Sequence, residues 1–360
     1  MVSLPGTALA AKVVRIGVSA PISGDIAPLG LSTKNAALMA EEEINAAGGI
    51  KVGKEKLKVK FIIEDDENKP ESTATVFQKL INQDQVVAII GSQSSKCSNA
   101  GAPIAEAAGV PQLSPWSTNP NVTKGKKYVF RACFIDPFQG KVVAQFARKQ
   151  LKAKTAAVLY DVASDYNKGI ADVFKAEFAK AGGKIVAFET YTTGDRDFSA
   201  QLTKIKAADP DVLFLPNYFN EVPLQVQQAR KLGLKAKFIG SDSWDNPDLL
   251  KLGAADFEGS YFSNHYSADV KSPVSDKFVA AYEKKFGVKP DAAAALTYDA
   301  AHIMFKAIER AGKLDRKAVR DALAATKNFK GVTGTISFSG NNDPVKSAVI
   351  IEVTGGKFVY

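Results

Sequence analysis

Residues Val86, Val87, Ala88, Ile89 and Ile90 form an unbroken apolar run closed by Gly91. The run is too short for a helix and has no polar alternation, so it reads as a strand buried on both faces. Such a strand needs cover above and below, and a parallel sheet with crossover helices supplies it. The flanking sequence has the matching pattern. Strand signals at 13–20, 57–64 and 111–113 alternate with helical signals at 32–47, 70–84 and 98–108. In the first of these helices Ala37, Ala40 and Ile44 share a face, and Gly48-Gly49 is its stop.

The pattern restarts after Cys133. Helices are expected at 139–151, 168–181, 198–208 and 222–232, with strands at 155–160, 184–189, 212–215 and 237–240. Two α/β units suit a chain of 360 residues, longer than one hydrophobic core usually serves. The last third differs, with helices at 275–286, 293–312 and 316–325 and β structure at 334–339 and 347–360. Ala300, Ile303, Met304, Ala307 and Ile308 make an apolar stripe on the second of these helices. These elements are too few for a third domain and are expected to complete the first two, so the chain must cross between lobes more than once. We place the crossings near 134–137, 264–267 and 341–345. The expected fold class is α/β: two lobes, each a parallel sheet flanked by helices, with a cleft between them. The first lobe takes 13–135 plus 266–342 and the second 136–265 plus 343–360, with 1–12 as a residual tail.

Composition narrows the function. Hydrophobic residues make up 46% and charged residues 24%, a globular balance. No apolar run approaches the roughly 20 residues of a membrane span. Two cysteines and two histidines leave little for a multi-cysteine metal site or for metal-centred chemistry, and neither metal nor cofactor is expected. The net charge of +9 invites a nucleic-acid reading, but the lysines are scattered. The densest cluster, 51–60, alternates with apolar residues and has no stacking aromatics, so no nucleic-acid partner is expected. Ala8-Leu9-Ala10 has the small-x-small form of a signal-peptidase site, although 1–6 lack a basic start and a full apolar stretch. We read residues 1 to about 11 as the end of an incomplete secretion signal. Export would expose Cys97 and Cys133 to an oxidising compartment, where they could pair.

Ligands in open α/β sheets sit beyond the carboxyl ends of the parallel strands. The segments there are Ser23-Gly24-Asp25, Gly91-Ser92-Gln93-Ser94-Ser95, Ser114-Pro115-Trp116-Ser117-Thr118-Asn119-Pro120, Ser164-Asp165-Tyr166, Asn217-Tyr218-Phe219, and Ser241-Asp242 with Trp244. They are dense in hydroxyls and aromatics and carry few charges, which suits a small polar ligand held by hydrogen bonds between aromatic walls.

Those segments, with Arg15-Ile16-Gly17, Ala46-Ala47-Gly48-Gly49-Ile50 and Asp65-Asp66, resemble the type I periplasmic solute-binding proteins. The branch is that of the branched-chain amino acid ABC transporters, and the likeness runs from about Val13 to Tyr360. The resemblance implies two lobes joined by three crossing segments, with the ligand between them. It implies that Ser95 and Thr118 hold a ligand carboxylate and that Trp116 and Thr118 meet its ammonium, with Ser117 in the same loop. Asp242 would be the acid opposite the ammonium, and Tyr166 and Tyr218 the aromatics that close on the ligand. The implied partner is an ABC permease in the inner membrane, and the protein would act as a periplasmic monomer. Three positions depart from the family pattern: Leu29 where relatives carry an aromatic wall, Trp116 where a small residue is usual, and Lys96 beside Ser95.

Each of these residues also has a plainer structural use. Ser95 could cap a helix and Thr118 could order a turn. Asp242 could cap the helix starting near Asn246, and Trp116, Tyr166 and Tyr218 could simply pack. Asp65 and Asp66 read as turn residues, and Tyr298 as interlobe packing. Catalysis is not expected. His265 lies in an expected strand end and His302 in an expected helix, neither near a strand-end loop of the right kind, and no Gly-x-Ser-x-Gly elbow, Gly-x-Gly-x-x-Gly turn or P-loop is present. The sequence therefore reads as an exported binding protein that delivers an amino acid or amino-acid-like solute. A small aromatic carboxylate or amide, or a ligand-presenting sensory module, is the alternative.

Overall fold

The computed structural model describes residues 12–338 and 340–360. The leader-like Ala8-Leu9-Ala10 lies outside them, as does Ser339.

The first half builds β1 (Val13–Ala20), α1 (Ala27–Ala46), β2 (Ile50–Val52), β3 (Glu55–Asp65), α2 (Pro70–Asn82), β4 (Ala88–Ile90), α3 (Ser95–Ala108), β5 (Gln112–Ser114) and β6 (Val129–Arg131). These strands form one sheet in the order β2-β3-β1-β4-β5-β6. It is parallel except for the β2–β3 hairpin at its edge. All three residues of β4 are buried, as its unbroken apolar sequence requires.

The second sheet follows α4 (Asp136–Lys149). It is built from β7 (Thr155–Asp161), α5 (Asp165–Lys180), β8 (Lys184–Tyr191), α6 (Ser199–Ala207), β9 (Val212–Leu215), α7 (Val222–Lys231), β10 (Lys237–Gly240), α8 (Pro247–Gly253) and β11 (Ser260–Asn264). Three helices come next: α9 (Pro273–Phe286), α10 (Ala292–Ala311) and α11 (Arg316–Ala324). A hairpin of β12 (Phe329–Gly331) and β13 (Gly334–Ile336) stands apart as its own small sheet. The chain then returns as β14 (Val349–Thr354) and β15 (Lys357–Val359), giving the order β15-β14-β11-β10-β9-β7-β8. Only the returning strands run antiparallel in this sheet.

Helix α10 shows why the last third does not stand alone. Its stripe of Ala300, Ile303, Met304, Ala307 and Ile308 is fully buried in one core with Val14, Ile16, Val18 and Phe61 of the first sheet. Burying one side chain the size of isoleucine or methionine stabilises by about 1.5–3 kcal/mol. A helix with this face exposed to water would forfeit that several times over. Asp291 starts the helix by accepting from Ala294 N at 2.8 Å, and Gly312 ends it at φ 65°, where a side chain would be strained.

Several local expectations differ from the structure. Helix α1 starts at Ala27 rather than 32, because Pro28 in its first turn is compatible with a helix start. Strand β6 is a three-residue edge strand with too short a pattern to read, and the serines of β11 hide its pairing. Cys97 and Cys133 are both free, so the pairing is not made. Cys97 Sγ lies 3.7 Å from Asn68 Oδ1, while Cys133 Sγ donates to Ser117 O at 3.3 Å. Burial pushes the two thiols up to about 11 and about 12. Tyr298 belongs to the helices of the first lobe: its hydroxyl donates to Glu43 of α1 at 2.6 Å, and its ring sits 4.7 Å from Phe278 of α9.

Candidate functional site

The segments after β4, β5, β7, β9 and β10 converge between the two sheets. Gln93, Ser95, Trp116 and Thr118 from the first lobe meet Tyr166, Tyr218, Asp242 and Ser243 from the second around one void. Six residues singled out from sequence are therefore brought together: Ser95, Trp116, Thr118, Tyr166, Tyr218 and Asp242. Ser117 is the exception and needs correction. Its hydroxyl lies 2.6 Å from Ser98 Oγ and donates to Gln93 O at 2.9 Å, so it braces the loop behind the void.

The first-lobe wall depends on close backbone packing. Gly91 has φ 129°, and a Cβ there would sit 2.3 Å from Ser19 O, so only glycine lets the chain turn out of β4 at this point. Ser95 is the first residue of α3, one position past the cap residue Ser94, and its hydroxyl accepts from Asn119 N at 3.2 Å. The loop carrying Trp116 and Thr118 is held from beneath by Arg131, whose side chain is fully buried. Its Nη1 donates to Ser117 O at 2.6 Å and its Nη2 to Asn119 O at 2.9 Å. Asp65 and Asp66 serve the neighbouring turn, accepting from Glu67 N and Asn68 N at 2.9 and 3.1 Å.

On the opposite wall, Asp242 lies at the centre of a hydrogen-bonded group. Its Oδ1 accepts from Gln139 Nε2 of α4 at 2.7 Å and from the Tyr166 hydroxyl at 2.5 Å. Its Oδ2 lies 2.9 Å from His265 Nε2. Burial lowers the His265 pKa and keeps the ring neutral, and the ring stacks 3.5 Å from Phe134. A carboxylate only accepts, so Nε2 carries the ring proton. An ionised carboxyl offers about four acceptor positions, and three donors leave room for one more. Tyr166 and Tyr218 stand with ring centroids 5.6 Å apart. Burial raises both phenols well above their ordinary value, so both remain protonated donors.

The void also gathers polar atoms that have no partner. Among the described residues, Gln93 Nε2 and Oε1, Trp116 Nε1 and Thr118 Oγ1 are buried and make no hydrogen bond. Most buried polar groups in native proteins are paired, so this concentration marks a place where another molecule supplies the partners. The lobes meet directly at its edge, where Asn99 Nδ2 donates to Asp165 Oδ2 at 2.9 Å and Asn119 Nδ2 to Asp165 O at 3.0 Å.

Reasoning from sequence missed four contributors. Gln93 and Ser243 line the void, and Gln139 and His265 hold its acid. Gln93 follows β4 and Ser243 follows β10, so position at a strand end was the available signal. His265 follows β11, a strand whose polar sequence concealed its place in the sheet. Leu29 does not line the void; with Trp116 it packs into a core shared with Leu159 and Leu215 of the second lobe. Lys96 is half-buried outside the lining.

A family model described as periplasmic binding protein matches residues 13–357. A leucine-, isoleucine-, valine-, threonine- and alanine-binding protein of Pseudomonas aeruginosa is 31% identical, over 93% of this chain and 88% of its own length. The crystal structure of a leucine-binding protein of Thermotoga maritima superimposes with a TM-score of 0.91 at 37% identity, covering 96% of this chain and 97% of that one. The branched-chain amino acid transporter substrate-binding protein of Streptococcus pneumoniae, solved with isoleucine, gives 0.91 at 35% identity, with 96% and 98% covered.

Proposed function

The chain belongs to the periplasmic binding protein family, and from that premise we propose that it captures an amino acid or amino-acid-like solute between two lobes for an ABC importer. The observation that carries this reading is the single void walled by Ser95, Trp116 and Thr118 on one side and Tyr166, Tyr218 and Asp242 on the other.

A zwitterion needs an anion site and a cation site side by side. The start of α3 at Ser95 presents unpaired backbone N–H groups and the positive end of a helix of 14 residues, both of which favour a carboxylate. The unpartnered Thr118 hydroxyl stands beside it. The open acceptor position on Asp242 faces the same void and suits an ammonium. The ligand docks on the first-lobe groups, and closure brings the second-lobe groups onto it. Closure is a shift of population, driven by contacts made only when the lobes meet. The lobes are 13–135 plus 266–342 and 136–265 plus 343–360. An exported location and a membrane permease as partner follow from this role, and the role requires no catalytic step, metal or cofactor. Among the described residues no helix is long and apolar enough to cross a membrane.

Calorimetric titration with the common amino acids tests the reading. At least one should bind saturably, and Thr118→Ala should weaken it roughly tenfold or more with little change in urea midpoint. That loss corresponds to one hydrogen bond to a charged group, about 1.5–3 kcal/mol. Affinity unchanged by the substitution removes Thr118 from the site, and binding of none of them removes the amino acid reading.

A further inference from the structure

The ligand's side chain must lie against whatever part of the void the zwitterion does not use. Gln93 lines that void, is 1% exposed, and has neither amide atom hydrogen-bonded among the described residues. Trp116, 4% exposed, lines it too and leaves its Nε1–H without an acceptor. Together these two side chains offer two kinds of donor and one acceptor, all neutral. An aliphatic side chain placed here would bury them unpaired, and a buried polar group without a partner is strongly unfavourable. Water could satisfy them in the empty site, but an aliphatic ligand would evict that water and replace none of its bonds. A ligand with a hydroxyl or carboxamide would instead complete the set.

We propose that Gln93 and Trp116 are specificity-determining residues that select a small amino acid whose side chain ends in a neutral hydroxyl or carboxamide over its aliphatic counterpart. This rests on the amino acid reading above and narrows it. Sites built to hydrogen-bond a polar substrate group reject the analogue lacking it far more strongly than apolar pockets reject a missing methylene.

The test uses the full chain and two nearly isosteric pairs, threonine against valine and asparagine against leucine, each titrated calorimetrically. In the better-bound pair the polar member should bind at least tenfold tighter. Gln93→Met, close in shape, should erase that preference. Trp116→Phe keeps an aromatic wall, removes the Nε1–H, and should reduce the preference independently, which keeps the proposal testable if one variant fails to fold. Valine or leucine binding as tightly as its polar counterpart overturns the proposal, and so does a preference unmoved by both variants. If only some other amino acid binds, the proposal falls and the amino acid reading stands. If no amino acid binds at all, both fall.

Discussion

Asp242 shows how much a single side chain depends on its surroundings. Among the described residues lining the void it is the only carboxylic acid, and its carboxyl already takes Gln139, Tyr166 and His265 as donors. Removing one partner of a buried charge pair leaves the other uncompensated, typically at about 3–5 kcal/mol. Asp242→Asn should therefore cost a factor of one hundred or more in affinity for the best amino acid. Equal binding by the variant, measured by calorimetry, would point to a carboxylate ligand without an amine. Asp136, at the start of α4, makes a different prediction. Burial pushes its carboxyl up to about 7, against the opposing pull of the nearby Thr118 hydroxyl. In the unfolded chain the same group titrates near 3.9. From about pH 4 to 7 the folded state therefore holds a proton that the unfolded state has released. Its stabilising share is complete below that window and is lost as pH rises, with a slope of up to about 1.4 kcal/mol per unit. Asp245, Asp291 and Glu221 are also raised by burial, so the comparison must be between wild type and Asp136→Asn. Urea unfolding at pH 5 and pH 7 should show a smaller loss of stability in the variant. An identical loss in both would remove Asp136 from the account.

At the scale of elements, α10 is the clearest case of tertiary packing completing what local sequence begins. Ile303 is fully buried against the first sheet, and Ile303→Ala should destabilise the protein by about 2–5 kcal/mol, since a close-packed core cannot fully collapse into the gap. A measured loss under 1 kcal/mol would mean that α10 is not anchored as described. This helix was legible because its stripe of apolar residues recurs at helical spacing over several turns. The buried parallel strands were legible because β4, β9 and most of β1 and β7 lack polar residues. Strands β6 and β12 escaped because three residues carry no periodicity. At the site, the residues in strand-end segments were legible from position alone. What sequence could not show was how their hydrogen bonds are distributed. Ser117 and Thr118 are neighbours with the same functional group, yet one hydroxyl is fully used within the loop and the other is left open. The same limit applied to His265, which reaches Asp242 only because β11 lies beside β10 in the sheet.

For the molecule as a whole, the proposed lobes put three passages in the chain: after β6, the last strand of the first sheet, after β11 of the second, and before β14, with α10 packed in the first sheet's core between the last two. The first and third passages are tied, because Arg131 Nε donates to Asp343 Oδ1 at 2.6 Å while the same guanidinium grips the loop carrying Thr118. One buried side chain thus links these passages to the loop carrying Thr118. The lobes touch through the hydrogen bonds of Asn99 and Asn119 to Asp165, worth about 0.5–1.5 kcal/mol each. Leu29 and Trp116, packed with Leu159 and Leu215, add apolar contact between the lobes, and ligand contacts add to that bias toward closure. The direct test is a distance measurement across the cleft. Leu31 of α1 is 46% exposed and Val162 beyond β7 is 45% exposed, and both native cysteines are fully buried, so Leu31→Cys with Val162→Cys accepts a fluorophore pair selectively. Single-molecule energy transfer should show a mixture of distances without ligand. Saturation with the amino acid that binds tightest in titration should collapse it to the shorter one. An unchanged distance distribution at saturation would contradict capture by lobe closure.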